Sequence, residues 1–164
     1  MKKILMSVMV LGLFAAAAPA AQASTFDRVL EHYEPVRLAL LGDSLDGVAE
    51  HGRAIAAELE SLAADFSAER AGASAEVAPV VRDTLPEMLA AAKTLASATS
   101  LEPARDAFYE LTKPLVRWRE GVPAGNGRPA VGYCPMYKRS WLQPGAEIGN
   151  PYGGMPRCGS IVAK

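Results

Sequence analysis

Apolar residues return every three or four positions through most of the first 120 residues, the spacing of amphipathic helices. Phe26, Val29, Leu30, Tyr33, Val36 and Leu40 form the first stripe, and Gly42 supplies its stop. A second stripe runs Val48, Gly52, Ile55, Leu59, Leu62 and Phe66, with Asp43 or Ser44 as its cap and an end before Gly72. Val77, Val81, Leu85, Met88, Ala92 and Leu95 make a third, interrupted by Pro79 and Pro86, so its regular part is expected to begin near Pro86. The fourth is Ala104, Phe108, Leu111, Leu115 and Trp118, capped by Ser100 and ended by Gly121. Pro35 and Pro114 fall inside the first and fourth helices, where each removes a backbone hydrogen bond.

Beyond Gly121 the helical period stops. Glycine and proline crowd this stretch, with Tyr133, Tyr137, Trp141 and Tyr152 among them, and no run alternates apolar with polar residues as a half-buried strand would. The fold expected is therefore all-α: an antiparallel four-helix bundle over residues 24–120, followed by an irregular Gly/Pro-rich tail over 121–164.

The amino terminus changes the setting. Lys2 and Lys3 precede an apolar run from Ile4 to Ala18, and Ala21 and Ala23 provide the small residues a signal peptidase reads. Residues 1–23 are thus expected to be a secretory signal peptide, with the mature chain in the periplasm and no membrane span after processing. The remaining length suits one domain. Formal charge is −1 for the whole chain and becomes more negative once Lys2 and Lys3 leave, which argues against a nucleic-acid partner.

Both cysteines of the protein lie in the tail. Cys134-Pro135-Met136 and Met155-Pro156-Arg157-Cys158 set a thiol beside a thioether at each end of one loop. A residue before proline is held extended, and positions two apart on an extended run point the same way, so Cys134 and Met136 can face one ion. Asn150-Pro151-Tyr152-Gly153-Gly154 supplies turn residues to fold the second pair back. Two thiolates and two thioethers are soft donors that select copper(I) or silver(I), whereas zinc prefers Cys and His. Trp141 either covers the ion or anchors the loop as a hydrophobic residue, with Tyr133 and Tyr152 in support. In an exported protein two cysteines also commonly pair, so a Cys134–Cys158 disulfide with Met136 and Met155 as packing residues stands beside the metal reading. A third arrangement combines the two, reduction exposing the metal site.

Tyr133-Cys134-Pro135-Met136, Trp141-Leu142, Ile148, Asn150-Pro151-Tyr152-Gly153, Met155 and Cys158-Gly159 together resemble a bacterial family of unassigned helical domains. That family carries a C-terminal Cys-Pro-Met … Trp-Leu … Asn-Pro-Tyr-Phe-Gly … Met … Cys-Gly signature. Such domains look like stand-alone periplasmic proteins or extensions of the periplasmic adaptor subunits of copper- and silver-type heavy-metal efflux pumps. Here Gly153 follows Tyr152 directly, without the Phe. The resemblance extends over Val29 to Leu59 and Leu101 to Phe108. It implies metal binding in copper homeostasis or heavy-metal resistance, with Cys134, Met136, Met155 and Cys158 as ligands and an efflux adaptor as partner.

Other chemistries find no support in the residues. Cys-x-x-Cys-His for haem and the Glu-x-x-His pairs of a di-iron bundle are absent. So are a Ser-His-Asp constellation, a phosphate-cradling glycine loop and the Cys-x-x-Cys of a thiol oxidoreductase. The protein is expected not to be an enzyme. His32 and His51 sit on separate predicted helices, as metal ligands, pH-sensitive groups or ordinary boundary residues. The runner-up reading is an interaction module whose disulfide-clamped tail docks a partner through Tyr133, Tyr137, Trp141 and Tyr152.

Overall fold

The computed structural model describes residues 23–124 and 127–164. The signal peptide expected over residues 1–23 lies outside the described residues except for Ala23. Among the described residues, five helices lead into three strands. Helix α1 spans Thr25–Leu41, α2 Val48–Ala64, the single turn α3 Ala68–Ala71, α4 Ala78–Ser97 and α5 Leu101–Glu120. Strands β1 Ala130–Cys134, β2 Arg139–Gln143 and β3 Ser160–Ala163 form one antiparallel sheet in the order β2-β1-β3.

That sheet overturns the all-α four-helix bundle with an irregular tail. The tail is ordered as a hairpin plus a returning strand, and it hid from pattern analysis for a physical reason. In β1, Ala130, Val131, Gly132 and Cys134 are all buried, so both strand faces are covered and no alternation can show. Proline and glycine fall between the strands: Pro135 to Lys138 make the β1–β2 turn, with Lys138 at a positive φ of 54°.

Each helix end has a local cause. Ser24 caps α1, its hydroxyl accepting the Asp27 N–H while the Asp27 carboxylate accepts the Ser24 N–H, a reciprocal capping box. Gly47, at φ 74°, precedes α2 and takes the place expected of Asp43 or Ser44. The second stripe is split: α2 stops at Ala64, and Ser67 caps the short α3, which Gly72 ends in the left-handed region. Helix α4 starts at Ala78, well before Pro86, because Pro79 falls in its first turn, where no N–H is needed.

The apolar stripes meet in one core. Phe26, Val29, Tyr33, Val36 and Leu40 of α1 pack with Ile55, Leu59 and Leu62 of α2, Val81, Met88 and Leu95 of α4, and Phe108, Leu111, Leu115 and Trp118 of α5. Val131, Cys134, Trp141, Leu142 and Tyr152 extend that core into the sheet. Among the described residues no helix is long and apolar enough to cross a membrane.

Candidate functional site

Cys134 closes β1, and a disulfide joins it to Cys158, 24 positions on and just ahead of β3, with the Cα atoms 5.5 Å apart. The bridge binds the hairpin turn to the loop running from Asn150 to Pro156. Asn150, wholly buried, shapes that loop: its Oδ1 accepts the Tyr152 N–H at 3.0 Å, its Nδ2 donates to the Met155 carbonyl at 3.1 Å, and its own N–H donates to the Pro156 carbonyl at 2.9 Å. Tyr137, in the hairpin turn, lies on Gly153 so closely that any Cβ there would overlap its phenol ring. The two segments therefore abut.

The four sulfur residues divide into two kinds. Cys134 and Cys158 are bonded to each other, and Cys134 has no solvent exposure, so neither presents a thiolate. Met136 and Met155 are 72% and 38% exposed, on the turn and the loop that the bridge ties together. The expected four-sulfur ligand set is thus not formed while the disulfide is closed, and the thioethers are the soft donors that remain open to solvent. Among the described residues no group of three or more His, Cys, Asp and Glu side chains comes together.

The supporting aromatic residues are structural. Trp141 and Tyr152 are buried, edge to face with ring centroids 6.4 Å apart. Trp141 fills the space left by the missing side chain of Gly132, directly opposite on β1. Its indole N–H donates to Gln143 Oε1 at 2.6 Å, and Gln143 Nε2 in turn donates to the Gly145 and Glu147 carbonyls. Tyr152 Oη donates to the Ser140 carbonyl at 2.8 Å. Burial pushes its phenol, and that of Tyr33, well above the ordinary tyrosine range. As docking residues Trp141 and Tyr152 are out of reach. Tyr133 is half-buried, and Tyr137 is 38% exposed.

Three buried arginines of the helices hold the tail. Arg37 donates to the Gly149 carbonyl at 2.7 Å, Arg105 to the Pro151 carbonyl at 2.9 Å, and Arg119 to the Pro129 carbonyl. Desolvation, with Arg128 nearby, lowers the Arg119 pKa from its usual value. Sequence reasoning missed all three. Each immediately follows a core residue, Val36, Ala104 or Trp118, so each sits at the edge of its apolar stripe, where an arginine stem can be buried and its head reach a neighbouring backbone. His32 and His51 lie on separate helices as expected, α1 and α2, and meet between them, Nδ1 to Nδ1 at 3.1 Å.

Comparison with protein-family models, curated proteins and solved structures finds no match to this chain. The site must be read from its own geometry. What that geometry offers is a covalently closed tip, aromatic beneath and sulfur-bearing on its surface.

Proposed function

We propose that the protein is an exported soft-metal binder whose tail captures copper(I) or silver(I) through the thioethers of Met136 and Met155. The carrying observation is the placement of these two methionines, both solvent-exposed, on segments joined by the Cys134–Cys158 bridge and by the seating of Tyr137 on Gly153. Thioethers are neutral soft ligands that favour such monovalent ions over calcium, magnesium or zinc. The bridge acts as the scaffold that keeps the two donors on one tip. On delivery of two electrons and two protons by a dithiol reductant, Cys134 and Cys158 become further donors, and the tip passes from a weak to a strong site. A disulfide also suits an oxidising compartment such as the periplasm, where metal buffering, or delivery to an efflux adaptor, would be the role.

The test is anaerobic titration with copper(I) against a competing chromogenic chelator, with native mass spectrometry to count ions. The oxidised protein should bind copper(I), Met136→Leu/Met155→Leu should lose one copper(I) ion from the count, and reduction should tighten binding in the wild type but not in Cys134→Ser/Cys158→Ser. An unchanged copper(I) count in the folded methionine variant would sink the ligand assignment.

The closed disulfide favours a second reading: a clamped interaction module with no metal, docking a partner through Tyr133 and Tyr137. Thiol counting and metal uptake separate the two. A protein without free thiols whose copper(I) uptake, before and after reduction, is the same in the wild type and in Met136→Leu/Met155→Leu is the clamp.

A further inference from the structure

His32 of α1 and His51 of α2 face each other across the seam between the two helices. Their ring centroids lie 5.4 Å apart, close to the largest separation that a 3.1 Å contact between ring nitrogens allows, so the two Nδ1 atoms point at each other head-on. Both rings are half-buried and reachable from solvent. One turn before His32, Arg28 is paired with Glu58 of α2 at 2.7 Å. The backbone of His51 is fixed by its N–H bond to the Gly47 carbonyl at 2.9 Å.

We infer that His32 and His51 form a two-nitrogen site for a linearly coordinated d10 cation, copper(I) or silver(I), separate from the sulfur tip. In the metal-free pair one Nδ1–H donates to the other Nδ1. The cation takes the place of that proton: the donor ring moves its hydrogen from Nδ1 to Nε2, both rings stay neutral, and each gives one lone pair to the metal. Two metal–nitrogen bonds of about 2.0 Å placed end to end need the nitrogens roughly 4 Å apart, a small outward rotation for half-buried side chains. The ion class follows from donor count and direction. Zinc uses three or four protein ligands, and among the described residues no third His, Cys, Asp or Glu joins this pair. Monovalent copper and silver are satisfied by two donors in line. The assignment rests on the histidine geometry and not on the sulfur reading.

Silver(I) nitrate is the probe, being redox-inert, added to the untagged oxidised protein in chloride-free buffer. Imidazole nitrogen NMR should show the Nδ1 signals of both histidines moving together as one ion binds. Native mass spectrometry should show one silver ion lost in His32→Gln and likewise in His51→Gln, and kept in Met136→Leu/Met155→Leu. Circular dichroism confirms folding, and the substitutions lie on different helices, so a folding failure of one leaves the other to decide. Unmoved imidazole signals at saturating silver, or wild-type stoichiometry in a folded histidine variant, overturns the site. Loss of all silver in the methionine variant overturns it as well, and leaves the sulfur tip standing.

Discussion

Arg105 of α5 donates through Nε to the carbonyl of Pro151, 46 positions away, and through Nη2 to the carbonyl of Leu40 at the end of α1, each at 2.9 Å. One side chain thus closes the last turn of a helix and pins the loop that carries Met155. Arg105→Ala takes the donor from the Pro151 carbonyl and leaves the Leu40 carbonyl to the backbone N–H groups at the end of α1, and a buried acceptor left unpaired costs about 1–3 kcal/mol. Urea denaturation should show a loss of about 1–3 kcal/mol, with Arg82→Ala, an exposed site, as a near-neutral control. Arg105→Lys should recover little of it, because an ammonium lacks the planar fork that reaches two acceptors at once. An Arg105→Ala protein as stable as the control would show that the tail is held by other contacts.

Reducing the disulfide is expected to cost about 3.5 kcal/mol by the chain entropy of the loop it closes. The loss should fall on the tail first. Helices α1, α2, α4 and α5 pack through their own stripes, so far-ultraviolet circular dichroism should hold its helical signal under reductant while Trp141, buried in the sheet, becomes more exposed and its fluorescence shifts to the red. A parallel loss of helical and fluorescence signals would mean that tail and helices unfold as one unit.

The helices were legible because their signal is a period. Val29, Val36, Leu59, Met88, Phe108 and Leu115 recur at helical spacing, and all are buried. Pro79 misled because proline reads as a breaker until the first turn is known to lie beneath it. The strands were illegible because Ala130, Val131, Gly132 and Cys134 of β1 are all buried, which erases the period of two. For the candidate site, the two Cys-Met pairs pointed to the two segments that the disulfide joins, and that disulfide was one of the readings they left open. That the two candidate histidines meet could not be read. His32 and His51 meet only through the antiparallel packing of α1 on α2, a relation that no local pattern encodes.

Gly132 illustrates how tightly the sheet is specified. A Cβ built there lies 2.3 Å from Cε2 of the Trp141 indole, which is locked in turn by Gln143 and Tyr152. Gly132→Ala therefore forces the indole out or opens the hairpin, at a cost of about 1–3 kcal/mol typical of an overpacked core. Thermal denaturation reads the loss directly. Gly145→Ala, where the added atom meets open space, should be close to neutral, and equal effects of the two substitutions would contradict the role given to Trp141.

Two buried phenols set the alkaline limit of the fold. Tyr33 Oη shares a 2.8 Å hydrogen bond with Thr112 Oγ1 and accepts the Leu142 N–H at 3.2 Å, so it couples α1, α5 and β2. Burial raises the Tyr33 and Tyr152 pKa values above that of an exposed tyrosine, since a phenolate would be stranded in the core. Each raised value contributes stability that is fully present below the unfolded pKa of about 10 and declines as pH rises past it, because the unfolded chain can then release protons that the folded one retains. Melting temperature should fall from about pH 10 upward, with phenolate absorbance of the last tyrosines appearing only as the helical signal is lost. Tyr33→Phe should be less stable at neutral pH, because the Leu142 N–H loses its acceptor, yet should show a shallower alkaline decline. Should Tyr33 and Tyr152 titrate in the still-folded protein, the buried phenol at the junction of helices and sheet is not closed to water.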